Sequence, residues 1–194
     1  SNLAAFGSRE LWIGTEKGLV RFDGIRFRLM ESGNPDAPPL THVLGLTSDP
    51  EGSLWVRLRR PTLLRYRDGV FDEAMRRLGR RRSTVSGMAR ARDGSLMLWV
   101  LEGEGRAIVL RGGRFQTLAV PVGFSRSPVL ALAEGHDGAI WVGTRDAGLF
   151  RLRGTRTEAV NQGLPDLKVN TIVPGEGGQL WVGTDGGVVR WDGT

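Results

Sequence analysis

Apolar and polar residues alternate along this chain in short runs, and clusters of Gly, Asp, Asn and Pro separate one run from the next. Leu149-Phe150-Arg151-Leu152, Ile25-Arg26-Phe27-Arg28-Leu29 and Arg114-Phe115-Gln116-Thr117-Leu118 have the period of two expected of half-buried strands, not the 3.6 of a helix face. The runs also keep an order. A short apolar stretch (Val43 to Leu46, Val85 to Met88, Val129 to Leu132, Val169 to Val173) leads into a tight turn at Asp49-Pro50-Glu51-Gly52, Asp93-Gly94, Asp137-Gly138 or Gly177-Gly178. A Trp-bearing run follows, then a turn with Gly18, Gly105, Gly148 or Gly187, an alternating run, a second Gly turn and a last short run. This order predicts four short strands joined by tight turns, repeated along the chain.

The repeat is visible in the letters. LWIGTEKGLVRFDG begins at Leu11 and LWVGTDGGVVRWDG at Leu180, and three looser copies lie between them. The second strand of each copy is anchored at Trp12, Trp55, Met97, Trp141 and Trp181, a period of 40 to 44 residues. A four-stranded unit at that period is a propeller blade. The expected fold is therefore all-β: a β-propeller of four-stranded antiparallel blades, with residues 1–194 forming a single propeller domain or fragment. In WVGT the Trp and Gly are two apart and share one strand face. The Trp should fill the space between blades while the Gly leaves room for the neighbour, so these Trp residues read as packing. An apolar residue stands nine positions before each anchor (Leu3, Leu46, Met88, Leu132, Ile172), which starts the first blade inside its inner strand, and the last blade stops after its third. About four and a half blades are expected, with ends that do not complete one another. That predicts a partial ring or a piece of a larger one, whose open blade edges could self-associate.

The quoted phrases resemble the two-component regulator propeller repeat. They share LWVGT, a short Gly turn followed by GL or GV, an apolar-Arg-apolar strand and DG, preceded by LPDLKVNTIV from Leu164 to Val173. The likeness is close in repeats one, four and five. It is weak in two and three, where Arg57 and Trp99 replace the small Gly and Met97 replaces the Trp. The resemblance implies a periplasmic sensor domain of a bacterial signalling protein with a histidine kinase or diguanylate cyclase output. It also implies a carbohydrate as the leading ligand, and a membrane connection only through segments outside this chain.

Composition narrows the chemistry. There is no cysteine, so thiol catalysis, disulfides and thiolate metal sites are excluded. His42 and His136 are the only histidines, and no His-Glu spacing, calcium loop, phosphate loop or GxSxG elbow is present. No metal, cofactor or catalytic residue is therefore expected. Glu102 and Glu104 could be argued as a glycosidase pair, but a solvated turn explains them equally. The net charge is +6, almost all arginine, with Lys17 and Lys168 the only lysines. The densest run, Arg76 to Arg82, could meet an acidic glycan or could be a solvated loop. It carries no aromatic platform for bases, so nucleic acid is not expected as a partner.

Ligands of propellers meet the ring face, formed by the loops between second and third strands and by the links between blades. Arg57 and Trp99 break the Trp-Gly rule in adjacent blades, on the face that should pack. One expectation is that these blades form the ligand side, with Arg57, Arg59, Arg60, Trp99, Glu102 and Arg145 reaching a small polar molecule or oligosaccharide. The alternative is drift in blades that still pack. At the level of function, a ligand sensor stands against a protein-interaction or assembly module without a small-molecule ligand.

Overall fold

The computed structural model describes residues 3–6, 10–34, 37–59, 62–77, 84–101, 106–111, 114–119 and 127–192. The alternating runs become five antiparallel sheets, each a meander in chain order. Blade 1 holds β1 (Leu3–Phe6), β2 (Glu10–Gly14), β3 (Leu19–Phe22) and β4 (Phe27–Leu29). Blade 2 holds β5 (Val43–Ser48), β6 (Leu54–Leu58), β7 (Leu63–Arg67) and β8 (Val70–Glu73). Blade 3 holds β9 (Thr84–Arg90), β10 (Leu96–Leu101), β11 (Arg106–Arg111) and β12 (Arg114–Ala119). Blade 4 holds β13 (Val129–Glu134), β14 (Ile140–Thr144), β15 (Leu149–Arg153) and β16 (Arg156–Ala159). Blade 5 has three strands, β17 (Val169–Pro174), β18 (Leu180–Thr184) and β19 (Gly187–Trp191). The first and last sheets share no strand, as the register implied. A short helix that alternation did not predict, α1 (Ala74–Arg77), follows β8 and buries Ala74 and Met75 beside Leu63 and Leu98.

Neighbouring blades meet chiefly through their inner strands, β1 on β5, β5 on β9, β9 on β13 and β13 on β17. Together these strands enclose a central channel of about 580 Å³, to which Ala4, Leu46, Met88, Leu132 and Ile172 each contribute from a different blade.

The core lies between the sheets. Trp12, Met97 and Trp141 are buried, and Trp141 packs with Leu149 of its own blade against Val169, Ile172, Leu180 and Val182 of the next. The glycine two residues on does what strand geometry requires. A Cβ at Gly143 would stand 2.5 Å from Cγ1 of Val169, so only hydrogen fits under the next blade's inner strand. On the third strand an arginine stands opposite each Trp anchor: Arg21, Arg65, Arg151 and Arg190. Arg151 lies 5.3 Å from the ring centres of both Trp141 and Trp191, and donates to Asp137 in the turn before the anchor. In blade 4 the arginine of the apolar-Arg-apolar strand thus lies over the anchor's ring and ties it to the turn, while Arg21 pairs with Glu10 and Arg65 with Asp72.

Blade 5 breaks the pattern of burial without breaking the sequence pattern. Trp181 is 46% exposed and Val188 69%, whereas Trp141 and Leu149 in the same register of blade 4 are each 1% exposed. No described residue covers this face as blade 5 covers blade 4.

Candidate functional site

At the end of the channel where the inner strands begin, a cavity of about 470 Å³ opens among blades 2 to 5. Arg57 and Arg59 from the end of β6 and Arg145 from the end of β14 line it. The sequence-predicted arginines of two non-adjacent blades therefore converge on one mouth.

Backbone hydrogen bonds fix this convergence. The residue four beyond the anchor closes the second strand, and its N–H donates to a carbonyl just before the same blade's inner strand. Arg59 bonds His42 at 2.9 Å, Arg145 bonds Pro128 at 3.0 Å and Asp185 bonds Lys168 at 3.3 Å. The hydrogen bonds tie the start of each of these second-to-third-strand loops to the residue just before the inner strand begins. The inner strands add a second device. Each of β5, β9, β13 and β17 carries a bulge, at Leu44, Ser86, Leu130 and Asn170. All four bulged residues line the mouth. A bulge gives one strand an extra residue and re-aims its side chain, so the channel rim is built from the positions that the ladder leaves out.

The arginines differ in their surroundings. Arg57 is half-buried, and one guanidinium nitrogen lies 3.4 Å from the carbonyl oxygen of Leu44, a long contact. Its Nε is buried with no hydrogen-bond partner among the described residues, and burial lowers its pKa below the ordinary arginine value. Arg59 faces Glu16 at 3.9 Å, with both side chains largely exposed. Arg145 is exposed and forms no ion pair with any described residue. At the blade 5 side, Asp185 accepts from Lys168 Nζ at 2.8 Å and from Asn170 Nδ2 at 2.6 Å. The Lys168 and Asn170 bonds hold the Asp185 carboxyl below the usual carboxylate range and satisfy its charge locally.

Trp99 does not reach the mouth. It is fully buried in the core between blades 3 and 4, with Met97, Val109, Val129 and Leu132. The expectation that it contacts ligand is corrected by its partner across the hairpin. Trp99 pairs with Gly87, where a Cβ would stand 3.1 Å from Cβ of Trp99 and 3.0 Å from Val129. The glycine missing from β10 has moved to β9, and the large ring occupies the space. Arg57 likewise pairs with Gly45, while in blades 4 and 5 the pairs are Ala131 with Gly143 and Thr171 with Gly183. Arg60 and Glu102 lie outside the described residues, as do the side chains of the Arg76–Arg82 run. Sequence reasoning missed Leu44, Ser86, Leu130 and Asn170. They share a register position but not one residue type, two being Leu, and within the inner-strand stretches nothing set them apart from their neighbours.

Among the described residues no group of His, Asp and Glu could hold a metal ion, and no helix is long and apolar enough to cross a membrane.

Comparison with known proteins bears out the resemblance seen in the repeats. Residues 123–146 match the family model of the two component regulator propeller. No curated protein sequence matches the chain. Among solved structures it is similar to the extracellular domain of a proposed one component system from B. thetaiotaomicron, at 17% identity and a TM-score of 0.74, covering 97% of this chain and 27% of that one. The extracellular domain of a proposed hybrid two component system from the same organism gives 17% and 0.73, with 98% and 27% covered. A catalytically inactive virginiamycin B lyase from Staphylococcus aureus, solved with quinupristin, gives 17% and 0.67, with 97% and 68% covered. The chain thus has a propeller fold, and it spans 27% of the length of each of these extracellular domains.

Proposed function

We propose that this chain is part of the ligand-sensing propeller of a bacterial signal-transduction protein, placed outside the cytoplasm, in the periplasm. Its output is of the histidine kinase or diguanylate cyclase type, and its ligand is a carbohydrate bound at the mouth of the channel. The observation that carries this reading is the convergence of Arg57, Arg59 and Arg145 on one cavity rimmed by the bulged residues of four blades. A molecule seated there would touch blades 2 to 5 at once. Its binding energy would therefore depend on how the blades sit against each other, which is what a sensor has to report.

The family match and the likeness to extracellular domains of proposed one and two component systems support a sensor. The likeness to a lyase is one of fold, and no acid-base pair lines the mouth among the described residues. A thermal-shift screen with neutral and uronic-acid oligosaccharides tests the reading. A bound ligand at one hundred times its Kd stabilises the native state by about 2.7 kcal/mol, which raises Tm measurably. Unchanged Tm across the screen, or binding that survives replacement of Arg59 and Arg145 by Ala, contradicts it.

A second reading is an assembly module, and the exposed Trp181 and Val188 face of blade 5 favours it. Self-association through that face would show as a concentration-dependent mass in sedimentation, lost on Trp181→Lys.

A further inference from the structure

We infer that the mouth selects a ligand carrying an oxyanion, a carboxylate or a sulfate ester, over a neutral sugar. This rests on the sensor reading above and narrows its ligand class.

The first reason is the lining. Besides the three arginines it consists of apolar side chains, Leu44, Leu58, Val85, Pro128, Val129 and Leu130, and of neutral polar ones, Thr84, Ser86 and Asn170. Among the described residues no aromatic ring lines it, so none of them offers a π-surface on which a sugar's apolar face could stack. No carboxylate of a described residue lines it either. The second reason is an imbalance of charge. Arg57 and Arg145 have no acidic partner among the described residues, and the pair of Arg59 with Glu16 is exposed and at 3.9 Å, too loose to neutralise it. Of the nearby acids, Asp185 is matched by Lys168, and Asp146, next to Arg145, is bonded to Ser127.

The third reason is the guanidinium of Arg57, which meets only the Leu44 carbonyl among the described residues, at a long 3.4 Å. Arginine's planar fork offers two parallel donors to a carboxylate or sulfate, and such charge-assisted pairs are the strong ones. Cations in a concave, partly apolar mouth also focus field and draw anions in. The volume of about 470 Å³ suits a mono- or disaccharide unit and not an extended chain.

Isothermal calorimetry decides the matter with four probes: digalacturonate, a sulfated disaccharide, sodium sulfate and a neutral disaccharide, at matched ionic strength. Each is measured on the unmodified chain, on Arg57→Gln and on Arg145→Gln. The last is an exposed site where folding is not at stake. The expected result is binding of an acidic disaccharide that weakens about 10- to 100-fold in each variant, with no binding of the neutral one. Sulfate bound alone and lost in Arg145→Gln supports the oxyanion site while removing the carbohydrate-sensor reading. Neutral disaccharide bound equally by all three proteins overturns the inference, and the sensor reading then stands only if that binding is lost on replacing Arg59 and Arg145 together by Ala. Acidic binding indifferent to both substitutions, or no binding by any probe, also overturns it.

Discussion

Blades 2 and 4 put the same backbone to different use. In blade 4 the pair across the inner hairpin is Ala131 and Gly143, and the missing side chain lets Val169 of blade 5 sit against the strand. In blade 2 the pair is Gly45 and Arg57, and the arginine lines the channel mouth. Blade 3 shows the third outcome, Gly87 with Trp99, where the large group turns into the core. Packing therefore requires one small residue per cross-strand pair and does not fix which strand supplies it. A departure from the repeat is not in itself a sign of function. Of the two departures here, one is interior packing and the other contributes a cation to a cavity.

The largest effect that tests this contrast is truncation of Trp99. Trp99→Ala should cost about 3–5 kcal/mol of unfolding free energy in urea, as loss of a buried aromatic does, and affect ligand only through stability. A stable variant that no longer binds would return Trp99 to the site. The same substitution at Trp181 should cost less than half as much as at Trp141, since Trp181 is 46% exposed and Trp141 1%. Equal costs would mean that the blade 5 face is covered in solution.

Next come the glycines. Gly143→Val drives a side chain into Val169, and Gly87→Ala places a methyl 3.0 Å from the Val129 side chain. Losses of about 1–3 kcal/mol are expected for overpacking, read from denaturant midpoints. A neutral Gly87→Ala would show that Trp99 does not depend on its partner for space.

The smallest effect concerns the turn before the blade 4 anchor. Burial opposes ionisation of Asp137, but hydrogen bonds from Arg151, the Ala139 N–H and Arg153 outweigh it and bring its pKa to about 2 from 3.8. Its folded pKa is depressed, so its contribution is present above pH 3.8 and is lost as pH falls toward 2. Asp137→Asn should therefore be less stable than the unmodified chain at neutral pH, with the two acid-melting curves merging over that window. In blade 2 Glu51 stands at the Asp137 position, and Asp49, two residues before it, accepts from the indole Nε1 of Trp55 at 2.7 Å and from the Ser53 N–H at 2.7 Å. Curves that stay parallel down to pH 2 would remove the arginine clamp from the account of blade 4.

Most of the fold was legible in the sequence because a repeated blade writes its packing rule five times. The anchors at Trp12, Trp55, Met97, Trp141 and Trp181 all fall on second strands. The arginines of the mouth were legible for the same reason, since the register placed Arg59 and Arg145 at equivalent strand ends. Trp99 was misread because its compensation, Gly87, lies on the other strand of the hairpin, and only strand pairing brings the two together. The signal was present as a glycine in the inner strand of blades 2 and 3, where blade 4 has Ala131 and blade 5 has Thr171. The rim residues could not be found that way, because a bulge is set by backbone register and places no demand on side-chain type.

Blade 2 carries the glycine of this pair on its inner strand and Arg57 on its second, where the arginine serves the mouth. That role is tested most directly by rebuilding blade 4's pair in blade 2. The double substitution Gly45→Ala with Arg57→Gly should leave unfolding stability within about 1.5 kcal/mol of the unmodified chain. Calorimetric affinity for the acidic disaccharide should fall about 10- to 100-fold. A chain that keeps its affinity, or one that unfolds as readily as Trp99→Ala, would contradict the account.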